Sequence, residues 1–158
     1  MPWAAVEAIA KGGRLPGWAG DFPADGDAVI ARLLHEYGCP EAGPQHPGPW
    51  GHYHVVERAS GLVIGGAGFF GPPQSGETEI GYGIVPSRQG RGYATETAGL
   101  LLLIAWEHPQ TKAVIAHTDH DNAASRRVLE KTGFVLEAAA AERRYRIDRP
   151  AAAGPAQP

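Results

Sequence analysis

The sequence predicts an α/β (α+β) fold: a mixed β-sheet of about six strands flanked by four helices. Three observations predict it. Several segments carry apolar residues at helical spacing, and short runs rich in Val, Ile, Tyr and Phe are cut apart by Gly, Pro and Ser turns. One strand–helix–strand unit, Glu77 to Thr118, has a connection long enough for a parallel crossover within one sheet. A chain of 158 residues fits one domain with a sizeable core.

The elements follow in order. Trp3, Val6, Ile9 and Ala10 make Pro2 to Lys11 a short helix, stopped by Gly12-Gly13. A Gly/Pro/Asp loop with Trp18 and Phe22 leads to a second helix, Asp27 to Tyr37. Val29, Ile30, Leu33, Leu34 and Tyr37 form its stripe, Asp25 or Asp27 caps its start, and Gly38 with Pro40 ends it. After a second loop, Gly38 to Trp50, His54 to Arg58 reads as a strand, Ser60-Gly61 as a hairpin turn and Leu62 to Phe70 as the return strand. Glu77 to Val85 is the third strand, closed by Pro86. Ala94 to His108 is a strong helix that Pro109 bars from extending. Ala113 to Thr118, mostly apolar, reads as a central strand. Asn122 to Thr132 is the last helix, with Gly133 at its C-cap, and Phe134 to Glu137 with Arg143 to Ile147 form a final strand pair. The domain is assigned to 1–148, and 149–158 to a disordered Ala/Pro tail.

Composition narrows the function classes. A net charge of −3 argues against a nucleic-acid partner, which calls for a basic face. Cys39 is the only cysteine, so no intrachain disulfide and no thiolate-rich metal site can form. The longest strongly apolar run, Ala98 to Trp106, is far short of the ~20 residues that span a bilayer, and no basic-then-apolar leader is seen. The expectation is a soluble, cytoplasmic protein without a membrane partner.

The stretch that carries chemistry runs from Thr78 to Thr97. A strand ends at Pro86, the loop Ser87-Arg88-Gln89-Gly90-Arg91-Gly92 follows, and a helix opens at Tyr93-Ala94-Thr95. Free N–H groups of a first helical turn, with the helix dipole, favour an anion such as a pyrophosphate, and Arg88 and Arg91 add charge. The same spacing also suits an ordinary strand-to-helix turn. Gly66-Ala67-Gly68-Phe69-Phe70-Gly71 is a literal G-x-G-x-x-G, but it runs into Pro72-Pro73 with no helix to present N–H groups, so it is no dinucleotide site.

Gln89-Gly90-Arg91-Gly92-Tyr93-Ala94 matches the Q/R-x-x-G-x-G/A signature of the GNAT N-acetyltransferases. A second block, Asn122-Ala123-Ala124-Ser125 followed by Leu129-Glu130-Lys131-Thr132-Gly133-Phe134, resembles the family's later N-x-A-S…E-K-x-G-F pattern, and especially the ribosomal-protein-alanine N-acetyltransferase branch. The resemblance covers about Val55 to Ile147. It implies acetyl-CoA as cosubstrate, no metal, and a splayed strand pair for the CoA arm. Carried over, the backbone at Ile84 and Val85 pairs with the pantetheine, Gln89 stands at a signature position, and Gly90, Arg91, Gly92, Tyr93, Ala94 and Thr95 hold the pyrophosphate. Asn122 bonds the pantetheine, caps the last helix, or does both. Two departures stand out. The family usually opens with a strand, whereas this chain opens on a helix. Leu129 takes the place of the Tyr that many members use to protonate the leaving thiolate.

The implied reaction moves an acetyl group to a primary amine: a protein N-terminus, an amino acid or a small-molecule amine. An α-amino group titrates near ~7.7–8.0 and a lysine near ~10.4, so a general base helps. Glu79 is the first choice, on the face of Gly81 and Gly83; Glu77 is the second, and either also reads as a solvated strand residue. Backbone N–H of Ile84 or Val85 supplies an oxyanion donor. Ser125 is the candidate acid, with Tyr93 and Tyr145 behind it, and its other reading is a first-turn hydrogen bond. His117 and His120 lack the partners of a metal site, and His52 and His54 are expected at the surface or the substrate rim. Trp18, Phe22, Asp21 and Asp25 offer an acidic, aromatic rim for a cationic amine. A homodimer is compatible with exposed edge strands. Leu129 and the helical start also allow a non-catalytic acyl-CoA-binding or regulatory module on the same fold.

Overall fold

In the computed structural model, which describes residues 1–37, 48–139 and 142–151, the helical stripes become α1 (Trp3–Ala10), α2 (Asp25–Tyr37), α3 (Tyr93–Glu107) and α4 (Ala123–Lys131). The strand runs become β1 (His52–Val56), β2 (Val63–Phe69), β3 (Glu77–Ile84), β4 (Ala113–Asp119), β5 (Val135–Ala139) and β6 (Glu142–Asp148). Cys39, residues 38–47 of the second loop, and residues 152–158 of the tail lie outside the described residues.

Six strands form one mixed sheet in the order β1-β2-β3-β4-β6-β5. The three sequential pairs β1/β2, β2/β3 and β5/β6 are antiparallel, and the α3 crossover makes β3 and β4 parallel, as a short strand–helix–strand unit requires. Each face of the sheet buries its own layer. On one face Ile80, Val114 and Ala116 pack against Leu101, Leu102 and Ala105 of α3 and Leu129 of α4. On the other, Ile64 and Val85 pack against Ala5 and Ile9 of α1, Ala31 of α2, and Trp18, Ala19 and Phe22 of the intervening loop. That loop also pairs with the start of β2, with Ala19 N–H donating to Val63 O at 2.9 Å and Val63 N–H to Gly17 O at 2.8 Å.

Three expectations need correction. Trp18 (8% exposed) and Phe22 (fully buried) are core, not an aromatic rim, because the loop folds onto β2. His54 is not a surface residue: it packs edge-on against Phe22, ring centroids 5.8 Å apart, and its Nε2 is buried without a described partner. Arg149, assigned to the tail, is anchored. Its guanidinium donates to the carbonyls of Trp106, His108 and Thr111 at 2.9, 2.6 and 2.7 Å, filling acceptors left open at the C-terminal end of α3.

Candidate active site

β3 and β4 are hydrogen-bonded neighbours for three residue pairs only, Glu77, Thr78 and Glu79 opposite Ala113, Val114 and Ile115. Beyond that root the strands diverge, β3 to Ile84 and β4 to Asp119. Val85 N–H donates to Ile64 O at 2.9 Å and Phe70 N–H to Glu79 O at 3.0 Å, so these odd positions face β2. Strand alternation then turns the peptide groups of Ile80, Tyr82 and Ile84 toward the open fork.

The fork meets a cradle. A 3-10 turn, Pro86–Arg88, leads into Gly90 (φ 75°) and Gly92 (φ 89°), the latter the N-cap of α3. Both take left-handed backbone that favours glycine, and a Cβ at either would meet nothing within 4 Å, so the loop is open to a ligand. The cleft has a volume of about 710 Å³. Tyr82, Gly83 and Ile84 line it from β3; Gln89, Gly90, Gly92, Tyr93, Ala94 and Thr95 from the cradle; and Asn122, Ser125, Arg127 and Lys131 from α4. Asp21, Asp25 and Gly26 close the side toward α2.

The cradle is tied to the rest of the fold at two points. Glu57, 6% exposed at the end of β1, accepts hydrogen bonds from Ser60 Oγ, from Tyr93 OH at 2.7 Å and from Arg88 Nε at 3.2 Å. Those donors, Ser60 first, hold its carboxyl down at about 2. Asp21, in the α1–α2 loop, accepts from Ser87 N–H and Oγ, both at 2.8 Å, which lowers its carboxyl below the usual range. Asp21 thus ties the α1–α2 loop to the start of the cradle.

The acid–base groups divide by face. Glu79 Oε1 lies 2.9 Å from His117 Nδ1, on the face that carries Gly81 and Gly83. Glu77 is engaged by Arg146 and by Arg144, the latter at 2.9 Å, and their charge holds its carboxyl low. On the opposite face Tyr82 OH lies 3.1 Å from Ser125 Oγ, and burial pushes the phenol up to about 12. Leu129 is fully buried in the core and has no proton to give.

The predicted residues come together unevenly. Ile84, Gln89, Gly90, Gly92, Tyr93, Ala94, Thr95, Asn122 and Ser125 all line the cleft. Gln89 Nε2 donates to Ile84 O at 2.8 Å, so its side chain braces the loop. Asn122 Oδ1 accepts from Ser125 N–H at 2.9 Å, a helix cap within the cleft wall. Val85 does not line the cleft: it is fully buried and its N–H is taken by Ile64, so it supplies no oxyanion donor. Arg91 is exposed outside the lining, where Arg88 stands instead. Space is left over Gly83, while the Phe70 ring covers Gly81 at 3.0 Å from a would-be Cβ. The sequence expectation missed Arg127 and Lys131, whose i,i+4 spacing puts both cations on the cleft face of α4, and it missed Tyr82 and Glu57. Among the described residues no group of three or more His, Cys, Asp or Glu is placed to hold a metal. Among them, too, no helix is long and apolar enough to cross a membrane.

Fold and cleft define an α/β protein that can receive an extended, anion-bearing ligand between two diverging strands. The chain belongs to the acetyltransferase (GNAT) domain family, whose sequence profile matches residues 16–135. It is 34% identical over 94 residues to the uncharacterised N-acetyltransferase YjdG of Bacillus subtilis (strain 168); the match covers 59% of this chain and 56% of the relative, so the chain aligns with about half of that protein. Among solved structures, a spermidine N-acetyltransferase SpeG chimera from Vibrio cholerae superposes with a TM-score of 0.64 at 15% identity, covering 94% of this chain and 92% of that one. The ribosomal-protein-S5-alanine acetyltransferase of Vibrio fischeri gives a TM-score of 0.61 at 14% identity, covering 94% and 90%. At these identities the structures establish the shared fold.

Proposed function

We propose that the chain transfers an acetyl group from acetyl-CoA to a primary amine by direct attack in a ternary complex. The observation that carries this reading is the β3/β4 fork opening onto the glycine cradle at the N-terminus of α3. The fork offers strand-like peptide groups to an extended arm, and the cradle offers helix N–H groups to a pyrophosphate. Arg88, Arg127 and Lys131 add cations along the same cleft. Bound there, acetyl-CoA supplies the activated acyl thioester. Ile84, whose peptide faces the fork, is the oxyanion donor, and Ser125 gives a proton to the departing sulfur with Tyr82 behind it. The base function falls at Glu79 or at the His117 imidazole hydrogen-bonded to it. Asp25 and Asp21 beside the cleft suit a cationic acceptor. Protein N-termini, amino acids and small amines all fit that chemistry, the ribosomal-protein branch included. The same proposal treats 1–148 as one catalytic domain acting in the cytoplasm, and edge strands β1 and β5 as free to pair in a homodimer.

The test is a thermal-shift titration with acetyl-CoA, CoA, ATP and NAD, on the wild type and on Gly92→Glu. A ligand at 100 times its dissociation constant adds ~2.7 kcal/mol. For a domain of this size that is several degrees, at ~2–4 °C per kcal/mol. A shift with acetyl-CoA and CoA alone, lost in Gly92→Glu, supports the site; no shift in a cooperatively folded protein refutes it. Thiol release is then measured over a panel of amines. Binding without turnover on any amine supports instead the non-catalytic acyl-CoA module that Leu129 favours.

A further inference from the structure

The carboxylate of Glu79 is paired with an imidazole, and that partner stands further out along the fork than Glu79 itself. Glu79 is level with Ile115, and His117 lies two residues further along β4 on the same face. At ~3.3 Å per residue that carries the imidazole ~6.6 Å past the last paired residues of the root, along the diverging strands. An ionised carboxylate only accepts hydrogen bonds, so the 2.9 Å contact fixes the proton on Nδ1 and leaves the Nε2 lone pair for another donor.

The charges around the ring are accounted for on each packed element. From β3, Glu77 is held by Arg144 and Arg146. From β6, Arg144 stands opposite His117 and is shared between Glu77 and Glu137 of β5. On β4 itself, Asp119 follows on the same face, opposite Glu142. The Arg144 charge is thus countered twice, and Glu79 is the carboxylate turned to the imidazole. A base works best when its own pKa lies near the operating pH, and ordinary imidazoles (~6.5) lie closer to neutrality than ordinary glutamates (~4.3).

We infer that His117 Nε2 takes the proton of the attacking amine, directly or through one water, while Glu79 is a positioning residue that fixes the tautomer and stabilises the imidazolium. This rests on the acetyl-transfer reading. As the nitrogen–carbon bond forms, the amine proton passes to Nε2 and the carbon–sulfur bond breaks. The sulfur leaves with the electron pair and is protonated from the Ser125 side, which is resupplied by solvent, and His117 gives its proton back to solvent.

Thiol release from acetyl-CoA, with spermidine and with an alanine-initiated peptide as amines, is followed from pH 5 to 9. The expected result is a wild-type kcat/KM that falls on the acid side. His117→Gln abolishes that limb and lowers kcat on the order of 10²–10⁴-fold. Glu79→Gln lowers kcat less than His117→Gln does, because the imidazole remains but loses the partner that fixes its tautomer. Both variants keep the acetyl-CoA thermal shift, which shows that they fold and bind. A second readout is independent of turnover: long-range nitrogen-15 NMR shows the Nδ1–H tautomer of His117 in the wild type and a tautomer mixture in Glu79→Gln. A pH profile indifferent to His117→Gln, or an Nε2–H tautomer in the wild type, overturns the inference alone. Binding of acetyl-CoA with no turnover of either amine or of any in the panel overturns the acetyl-transfer reading and this inference with it.

Discussion

Asp27 is predicted to destabilise the protein at neutral pH, and Asp27→Asn to relieve the cost. The residue is 6% exposed, and its carboxyl sits over Gly66 so closely that a Cβ there would lie 2.0 Å from Oδ1. Ala24 N–H donates to Oδ2 at 3.1 Å. Burial outweighs that bond and raises the carboxyl from 3.8 to about 6. A carboxyl raised on folding binds its proton more tightly in the native state, so stability falls as pH rises from 3.8 through 6 and the full penalty applies above that. A shift of about two units corresponds to about 3 kcal/mol, a ceiling for the gain on removing the charge. At ~2–4 °C per kcal/mol the ceiling is about 6–12 °C in melting temperature. Asn keeps a carbonyl oxygen for Ala24 N–H.

The wild-type profile alone does not isolate this effect. Burial also depresses His52 and His54, each from 6.5 to about 4, and a histidine depressed on folding contributes stability that is lost as pH falls through that window. The two slopes oppose each other between pH 4 and 6. The variant-minus-wild-type difference cancels the histidines and leaves Asp27. Melting curves at half-unit steps from pH 4 to 8 should therefore show Asp27→Asn more stable at pH 8 and level with the wild type near pH 4. A difference of constant size across the range, or a variant less stable at pH 8, would refute the reasoning.

Other predictions concern the cradle and the sheet. Glu57→Gln should raise the KM for acetyl-CoA and leave kcat near wild type, because it loosens Arg88 and Tyr93 rather than the reacting groups; a fall in kcat alone argues against this. Gly65→Ala should lower the melting temperature, since its Cβ would lie 2.0 Å from Gly83 O, and overpacking costs ~1–3 kcal/mol. Gly83→Ala meets nothing within 4 Å, so it should leave stability and the acetyl-CoA shift intact while raising the KM for the amine.

What was legible in the sequence was local. Glycines, prolines and capping residues mark element ends, and the helices begin and end within two residues of expectation. β1 runs from His52 to Val56 rather than from His54 to Arg58, because Glu57 is already in the turn, its N–H on Leu62 O at 2.9 Å, and its carboxylate reaches the cradle. That reach joins residues 36 apart, Glu57 and Tyr93. Glu79 and His117 are 38 apart, and Tyr82 and Ser125 are 43 apart. Such contacts leave no periodicity to read. The burial of Trp18 and Phe22 was hidden for the same reason: a loop rich in Gly, Pro and Asp looks solvated until β2 is available for it to pair with.

Two of those long-range pairs frame the fork. Its root is closed where Gly76 O accepts from Lys112 N–H at 2.7 Å and Ala113 N–H at 3.1 Å, and where three residue pairs continue the ladder. Past the root no ladder pair joins β3 to β4, and each is held on its far side, β3 by β2 and β4 by β6. Two side-chain braces then span the gap, one on each face. Glu79 and His117 bridge strand to strand on the face toward α2, and Tyr82 with Ser125 bridges β3 to α4 on the other. Both braces consist of groups that exchange protons: Tyr82 and Ser125 line the cleft, and Glu79 with His117 pairs at the root of the fork. The residues of these two braces are the ones given acid–base or positioning roles in the proposed reaction. Geometry and acid–base state are coupled in them, which is why a pH profile, rather than loss of activity alone, separates their chemical role from their structural one.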